Sequence, residues 1–229
     1  MVISTIIRGV ADDVLGALVP GLSGTLGAIA DATWDKVRRE RIQRGNERLL
    51  EELRKGEVRL GDHSMPEAVA IVERFQRAAL EGTALLNLRL MAKVIAGQAH
   101  LGVLRADEFL YQANLLGSLR REEVILVAML LRKKREHDSK PRDAGESRSG
   151  ADWNAAAAEL VPGTFRTTEE MRATGLAATR TGLVMDDNSI DGIGRFTASP
   201  LLEQLASLID IEDALAREPS GSKTHDSRQ

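Results

Sequence analysis

The sequence contains no cysteine. That excludes disulfide scaffolds, thiolate zinc or iron–sulfur sites and cysteine nucleophiles together, and it suits a reducing compartment. Aromatic residues are also scarce, with two Trp, one Tyr and four Phe among 229 residues. A core must therefore be built from Leu, Ile, Val and Ala, which points to packed helices. The uncharged run from Val14 to Ala30 has 17 residues, four of them glycine and one proline, short of the ~20 apolar residues of a spanning helix. A secretory leader is not expected, because a basic n-region is lacking and Asp12 and Asp13 interrupt the apolar stretch. The four histidines, His63, His100, His137 and His225, are scattered, and no pair has metal-ligand spacing on one helix. Asp62-His63 and His137-Asp138 read as solvated loop dipeptides rather than parts of a triad. Gly21, Gly24 and Gly27 lack the strand and lysine of a phosphate loop, and Asp191-Gly192-Ile193-Gly194 reads as a turn. No catalytic, metal or cofactor-binding residue and no small-molecule ligand is identified, and a non-enzymatic protein is expected.

What the chain does contain is 43% hydrophobic and 28% charged residues with a net charge of −3, the profile of a soluble globular protein of one to two compact units. The average conceals a segregation. Asp35 to Arg59 holds nine basic against six acidic residues, and Arg120 to Arg142 eight against four. From Ala151 to Ala216 four arginines face eleven acids. A polyanion should prefer the first two segments.

Ile3, Ile6, Ile7, Val10, Val14 and Leu18 recur at helical spacing opposite Arg8, Asp12 and Asp13, so an amphipathic helix opens the chain and ends at Pro20-Gly21. Its residues Ile3, Ile7, Val10 and Val14, with Gly21, Gly24 and Gly27 beyond, are candidates for a membrane-surface or oligomer contact; packing onto the central helix is the competing account. Trp34 to Leu53 reads as a charged, solvated helix with one apolar edge.

Ser64-Met65-Pro66-Glu67 is a capping box with proline in the first turn, predicting a long central helix from there to about Ala96. Asn87 and Arg89 interrupt its most apolar part and form a candidate buried polar network, for which Glu81 or Glu108 are possible partners. Asp107 is expected to cap a short helix carrying Phe109, Tyr111 and Leu116, and Ser118 the next, which ends in Arg132-Lys133-Lys134-Arg135. Residues 136–150 lack Val, Ile, Leu, Met and aromatics and read as a flexible linker, with a similar tail over 217–229.

After the linker, an alanine-rich helix from Trp153 to Val161 is closed by Pro162-Gly163. Thr167-Thr168-Glu169-Glu170 then opens a helix holding Met171, Leu176 and Ala178. Leu183-Val184-Met185 and Arg195-Phe196-Thr197-Ala198 read as a strand pair, and Ser199-Pro200 starts a last helix. This order, with Leu119 to Arg135 as first helix and the phrase Arg180-Thr181-Gly182-Leu183-Val184, resembles a winged helix–turn–helix. The resemblance would make Arg166, Arg172, Arg180 and Arg195 the candidate nucleic-acid contacts, although Asp186, Asp187 and Asp191 give the wing the wrong charge for phosphate.

The organisation of about 200 residues also resembles the bacterial abortive-infection alpha proteins. The matching features are an apolar N-terminal helix broken by Pro20-Gly21, a charged helix, a long central helix, a short helix before Ser118-Leu119-Arg120-Arg121-Glu122, and a closing Gly182-Leu183-Val184. That resemblance implies a phage-defence or mobile-element protein. The expectation is thus a mainly α protein, with a helical domain at 1–117 and a winged-helix-like module with a short β-hairpin at 118–216. It would be cytoplasmic, with peripheral membrane association as an option. A protein partner or second copy is the favoured ligand, DNA the alternative and a membrane surface the second alternative.

Overall fold

The charged pattern that the sequence displays from Trp34 extends further back, into a helix α1 over Thr25–Leu53. In the computed structural model, residues 5–7, 9–10, 25–58, 65–139, 148–187 and 194–217 are described. The protein is mainly helical. After α1 come α2 (Met65–Glu81), α3 (Leu85–Leu101), α4 (Ala106–Ser118), α5 (Arg121–Asp138), α6 (Arg148–Leu160) and α7 (Thr168–Ala178). A 3-10 turn (Thr179–Thr181), strands β1 (Val184–Asp187) and β2 (Arg195–Ala198), and helices α8 (Pro200–Leu208) and α9 (Ile211–Ala216) complete it. The strands pair antiparallel, Val184 opposite Ala198 and Asp187 opposite Arg195.

The expected single central helix is two. Gly82 takes a φ of 85°, a left-handed conformation that ends α2, and the chain restarts at Leu85. The Arg41 guanidinium reaches over this break and donates to the Leu80 carbonyl at 3.0 Å. α3 is the hub that its composition suggests, with Leu90, Met91, Ala92 and Val94 wholly buried. α1, α2, α4, α8 and α9 all pack on it, so the last two helices return to the N-terminal half. One continuous apolar cluster runs from Ile7 to Ala214.

Asn87 and Arg89 are both buried, but Glu81 and Glu108 are not the partners of the amide. Asn87 Nδ2 donates to the carbonyls of Leu116 and Leu119, each at 2.8 Å, pinning α3 to the turn between α4 and α5. One expected cap moves at this turn. Ser118 ends α4, its hydroxyl donating to the Leu115 carbonyl at 2.8 Å, and Arg120 holds the N-cap of α5, where its N–H donates to Glu123 Oε2 at 2.7 Å. Asp107 lies in the first turn of α4 rather than at its cap; the free Ala106 N–H is taken by Glu67 of α2 at 2.5 Å.

Of the expected linker 136–150, residues 140–147 lie outside the described residues, and both described ends are helical. α5 continues through Asp138 and α6 starts at Arg148, because His137 reaches forward to the buried Asp152. Arg217, expected to open a tail, is held, since its Nε donates to Asp213 at 2.7 Å and its NH1 to Glu51 at 3.1 Å; the rest of that expected tail, 218–229, lies outside the described residues. Of the N-terminal candidates, Ile7 and Val10 are buried in the core and Gln76 Nε2 donates to the Ile7 carbonyl at 2.8 Å. Gly27 falls within α1; Ile3, Val14, Gly21 and Gly24, like the cap at Ser64, lie outside the described residues. Among the described residues, no helix is long and apolar enough to cross a membrane.

α9 is held by charge as much as by apolar contact. The buried Lys93 ammonium of α3 lies 2.5 Å from Asp213 and 3.5 Å from Glu52, while Lys55 lies 2.6 Å from Glu52. The Lys93 hydrogen bond, aided by Arg217 and opposed by partial burial, lowers the Asp213 carboxyl from 3.8 to about 2. A carboxyl depressed on folding adds stability above its unfolded value and loses it as pH falls through the folded one. The acid limb of the wild-type stability profile should therefore extend from about pH 4 to pH 2, and Asp213→Asn should flatten it; urea titrations at stepped pH measure this.

Close packing gives a second expectation. A Cβ on Gly97 would lie 2.5 Å from the Leu208 carbonyl oxygen, whereas one on Gly163 would meet only the Leu160 carbonyl, at 4.0 Å. Gly97→Ala should cost about 1–3 kcal/mol by forcing α8 off α3, and Gly163→Ala should be nearly neutral, both read from chemical denaturation midpoints.

Candidate functional site

The C-terminal segments that carry the candidate contacts are built around α5. α6, α7, β2 and α9 all pack against it. Thr167 caps α7 as its sequence predicts, accepting from the Glu170 N–H at 3.2 Å, and Ser199 caps α8 from Leu202 at 3.1 Å. α7 sits on the hairpin so closely that a Cβ on Gly175 would lie 2.5 Å from the Phe196 ring. Phe196 in turn meets Trp153 of α6 edge-on, with centroids 5.3 Å apart. Met171 and Ala178 are buried by this seating.

Leu176 is not. The sequence groups it with Met171 and Ala178, but at 63% exposure it is among the most exposed large apolar side chains of the described residues. Seating through Gly175 turns the other side of α7 outward, and that side reads Glu169, Ala173, Leu176 and Ala177, all exposed. In such an alanine-rich helix both faces are apolar, so periodicity alone does not say which is buried.

Two of the four candidate arginines, Arg166 and Arg180, are engaged by carboxylates of the same chain. Arg180 is turned inward, donating through both terminal nitrogens to the Glu123 carboxylate and through NH2 to the Ser118 carbonyl at 2.7 Å. Burial raises the Glu123 carboxyl, but the Arg180 hydrogen bond, the Arg120 N–H and the charge of both arginines outweigh it, leaving the group below its usual value. Arg166 donates to Glu170 at 3.2 Å. Arg172 and Asp186 both approach Gly194, where an added Cβ would lie 4.0 Å from Arg172 Cδ and 3.9 Å from Asp186 Oδ1. Arg195, half-buried, lies where a Cβ on Gly150 would be 2.8 Å from its NH1. Met185 projects from β1 and is 44% exposed.

Three of the four cations that end α5 are paired with acids of the C-terminal segments, while Arg135 meets only the Ala206 carbonyl, at 3.5 Å. Arg132 and Lys133 both bind Glu159 of α6, and Lys134 binds Glu203 of α8. Arg132 also lies 3.8 Å from Glu212 of α9, and Lys133 3.1 Å from Glu136. Lys133 is raised above its ordinary value, first by its hydrogen bond to Glu159. Segments that appear in the sequence as a separate polycation and polyanion are thus each other's partners.

The dipeptide His137-Asp138, expected in a solvated loop, instead ends α5, and the His137 ring is turned to α6. Its Nδ1 meets Asp152, not the adjacent Asp138, and Asp152 is 2% exposed. The orientation is that of a base held by a carboxylate, yet the hydroxyl nearest in sequence, Ser139, donates to the Glu136 carbonyl at 2.7 Å. Here the pair ties α5 to α6. Among the described residues, no group of three His, Asp or Glu is arranged to hold a metal ion. A recess between α5 and α9, lined by Ile125, Ala128, Met129, Arg132, Glu212 and Leu215, holds about 210 Å³ and is open to solvent.

Replacing Arg180 with Ala should leave the Glu123 carboxylate buried with the Arg120 N–H as its remaining donor, a loss of about 1–3 kcal/mol at neutral pH. Because the wild-type carboxyl is depressed from 4.5, that deficit should shrink once the pH falls below about 4, where the buried acid takes up a proton. Thermal melts of both proteins across pH check the sign. No family model, curated protein or solved structure matches the chain.

Proposed function

We propose that this chain is a non-catalytic interaction or regulatory protein whose C-terminal part, α5 to α8, is a winged-helix-like module that docks a protein rather than reading DNA. The order of α5, α6, α7 and hairpin supports the module, with α7 in the recognition position and β1–β2 as the wing. The outward side of α7 carries the choice of ligand. A helix that reads bases presents Arg, Lys, Asn or Gln to the groove. This one presents Glu169, Ala173, Leu176 and Ala177, while Arg180 is folded back onto Glu123. An apolar helix face, with the Glu169 charge at its edge partly met by Arg172, suits a protein surface. The organisational resemblance to abortive-infection alpha proteins adds a phage-defence setting to this reading.

The competing DNA reading makes a quantitative demand. Binding through phosphate contacts weakens steeply with salt as counterions are released. Fluorescence anisotropy with a labelled duplex at low ionic strength should give no salt-sensitive binding to the full chain. Tight binding that disappears on raising salt, and on replacing Arg166 and Arg172 together with Ala, would overturn the protein-docking assignment.

A further inference from the structure

The recess between α5 and α9 contains a side chain whose chemistry the fold does not otherwise use. Met129 of α5 packs against the core and also lines this opening to solvent. Of the other methionines among the described residues, Met91 and Met171 are wholly buried, while Met65 and Met185 stand in water. Met129 is both reachable and engaged, because a terminal nitrogen of Arg132, three residues further along α5, donates to its sulfur at 3.0 Å.

The guanidinium that makes this contact is incompletely matched. Its Nε is buried with no hydrogen-bond partner among the described residues, and Glu136 approaches that atom only to 3.7 Å. A buried N–H left in this way costs free energy that a nearby acceptor would recover. Thioether sulfur is a weak acceptor, whereas a sulfoxide oxygen is a strong one. Two further carboxylates share the same guanidinium, Glu159 of α6 and Glu212 of α9, the latter at 3.8 Å. A new acceptor on the Met129 sulfur therefore competes with the contacts by which Arg132 holds those two helices.

We propose that Met129 is a site of reversible oxidation by hydrogen peroxide and that Arg132 passes the change to α9. The sulfur lone pair attacks one peroxide oxygen and the O–O bond breaks. The departing hydroxide takes the proton left on the transferred oxygen and leaves as water, so sulfur is oxidised by two electrons and peroxide reduced by two. The oxygen now on sulfur accepts from Arg132, Nε included, and draws the guanidinium off Glu212. It also sets a polar group against Ile125, Ala128 and Leu215 on the apolar floor of the recess. α9 has only six residues, and Leu215 and Glu212 are its contacts here. It loosens from α5 but stays tethered to α3 through Asp213 and Lys93. Enzymatic reduction of the sulfoxide restores the thioether and the original contacts.

The experiment treats the full chain with hydrogen peroxide, locates the added oxygen by peptide mass spectrometry, and follows amide hydrogen exchange before and after. Met129 should gain one oxygen in the folded protein while Met91 and Met171 do not. Exchange in α9 should rise several-fold with α3 unchanged, and methionine sulfoxide reductases should reverse both effects. Met129→Leu, a swap of similar volume that cores tolerate, should keep α9 exchange unchanged under peroxide, although Met65 and Met185 are still oxidised. Met129→Gln, which places an amide oxygen near Arg132, should loosen α9 without peroxide. A Met129 that stays reduced while Met65 and Met185 are converted overturns the site. Oxidised Met129 with unaltered α9 exchange, or equal loosening in Met129→Leu, overturns the coupling. So does a rise in exchange that extends through α3, which would mean general unfolding.

Discussion

The C-terminal half is organised by three consecutive cations at the end of α5. Arg132, Lys133 and Lys134 point to three different helices and bind Glu159, Glu203 and Glu212. Ion pairs of this kind, partly exposed, add little each to stability, on the order of 1 kcal/mol or less. Their larger effect is on arrangement. α6, α8 and α9 are short, and small apolar helices of similar composition pack on a hub in several registers at similar cost. A fixed row of cations accepts carboxylates at only one set of positions, so the charges select the register that the alanines and leucines leave open. Glu123 with Arg180 does the same at the opposite end of α5, and Lys93 with Asp213 ties the last helix to the N-terminal half.

Scarcity of aromatics shapes the rest. With few large rings, the helices approach through small residues, and the interior admits backbone at close range. Gly97 lets the end of α8 reach α3, and Gly175 lets α7 lie on Phe196. These approaches fix which side of each short helix is inside. The outward position of Leu176 follows from Gly175 rather than from any property of Leu176 itself.

Local chemistry was legible in the sequence wherever one side chain satisfies a nearby backbone group. Thr167, Ser199 and Pro200 mark helix starts where they stand, and Gly182 adopts the left-handed conformation at the turn before the wing. Ser118 misled because a hydroxyl can as well close the helix before it as open the next, and its own hydrogen bond to Leu115 decides the matter. Gly82 does not announce the break between α2 and α3, because a glycine within a strong helical period is often tolerated. The long-range pairs were invisible for another reason. Nothing in the sequence distinguishes Asp152 from Asp138 as the partner of His137, or Leu116 and Leu119 from Glu108 as partners of Asn87, until the helices are placed.

Net charge by segment is a sound guide to partners only after internal pairing has been subtracted. Read along the chain, residues 120–142 form a polycation suited to nucleic acid. In the fold, Arg132, Lys133 and Lys134 face carboxylates of the same molecule, so a phosphate backbone would have to displace intramolecular partners already held at high effective concentration. Arg135, at the end of the same run, is exposed and meets only the Ala206 carbonyl, at 3.5 Å. The charge that a partner meets is what remains on such residues after the internal pairs are made, and that remainder is far smaller than the sum along the segment.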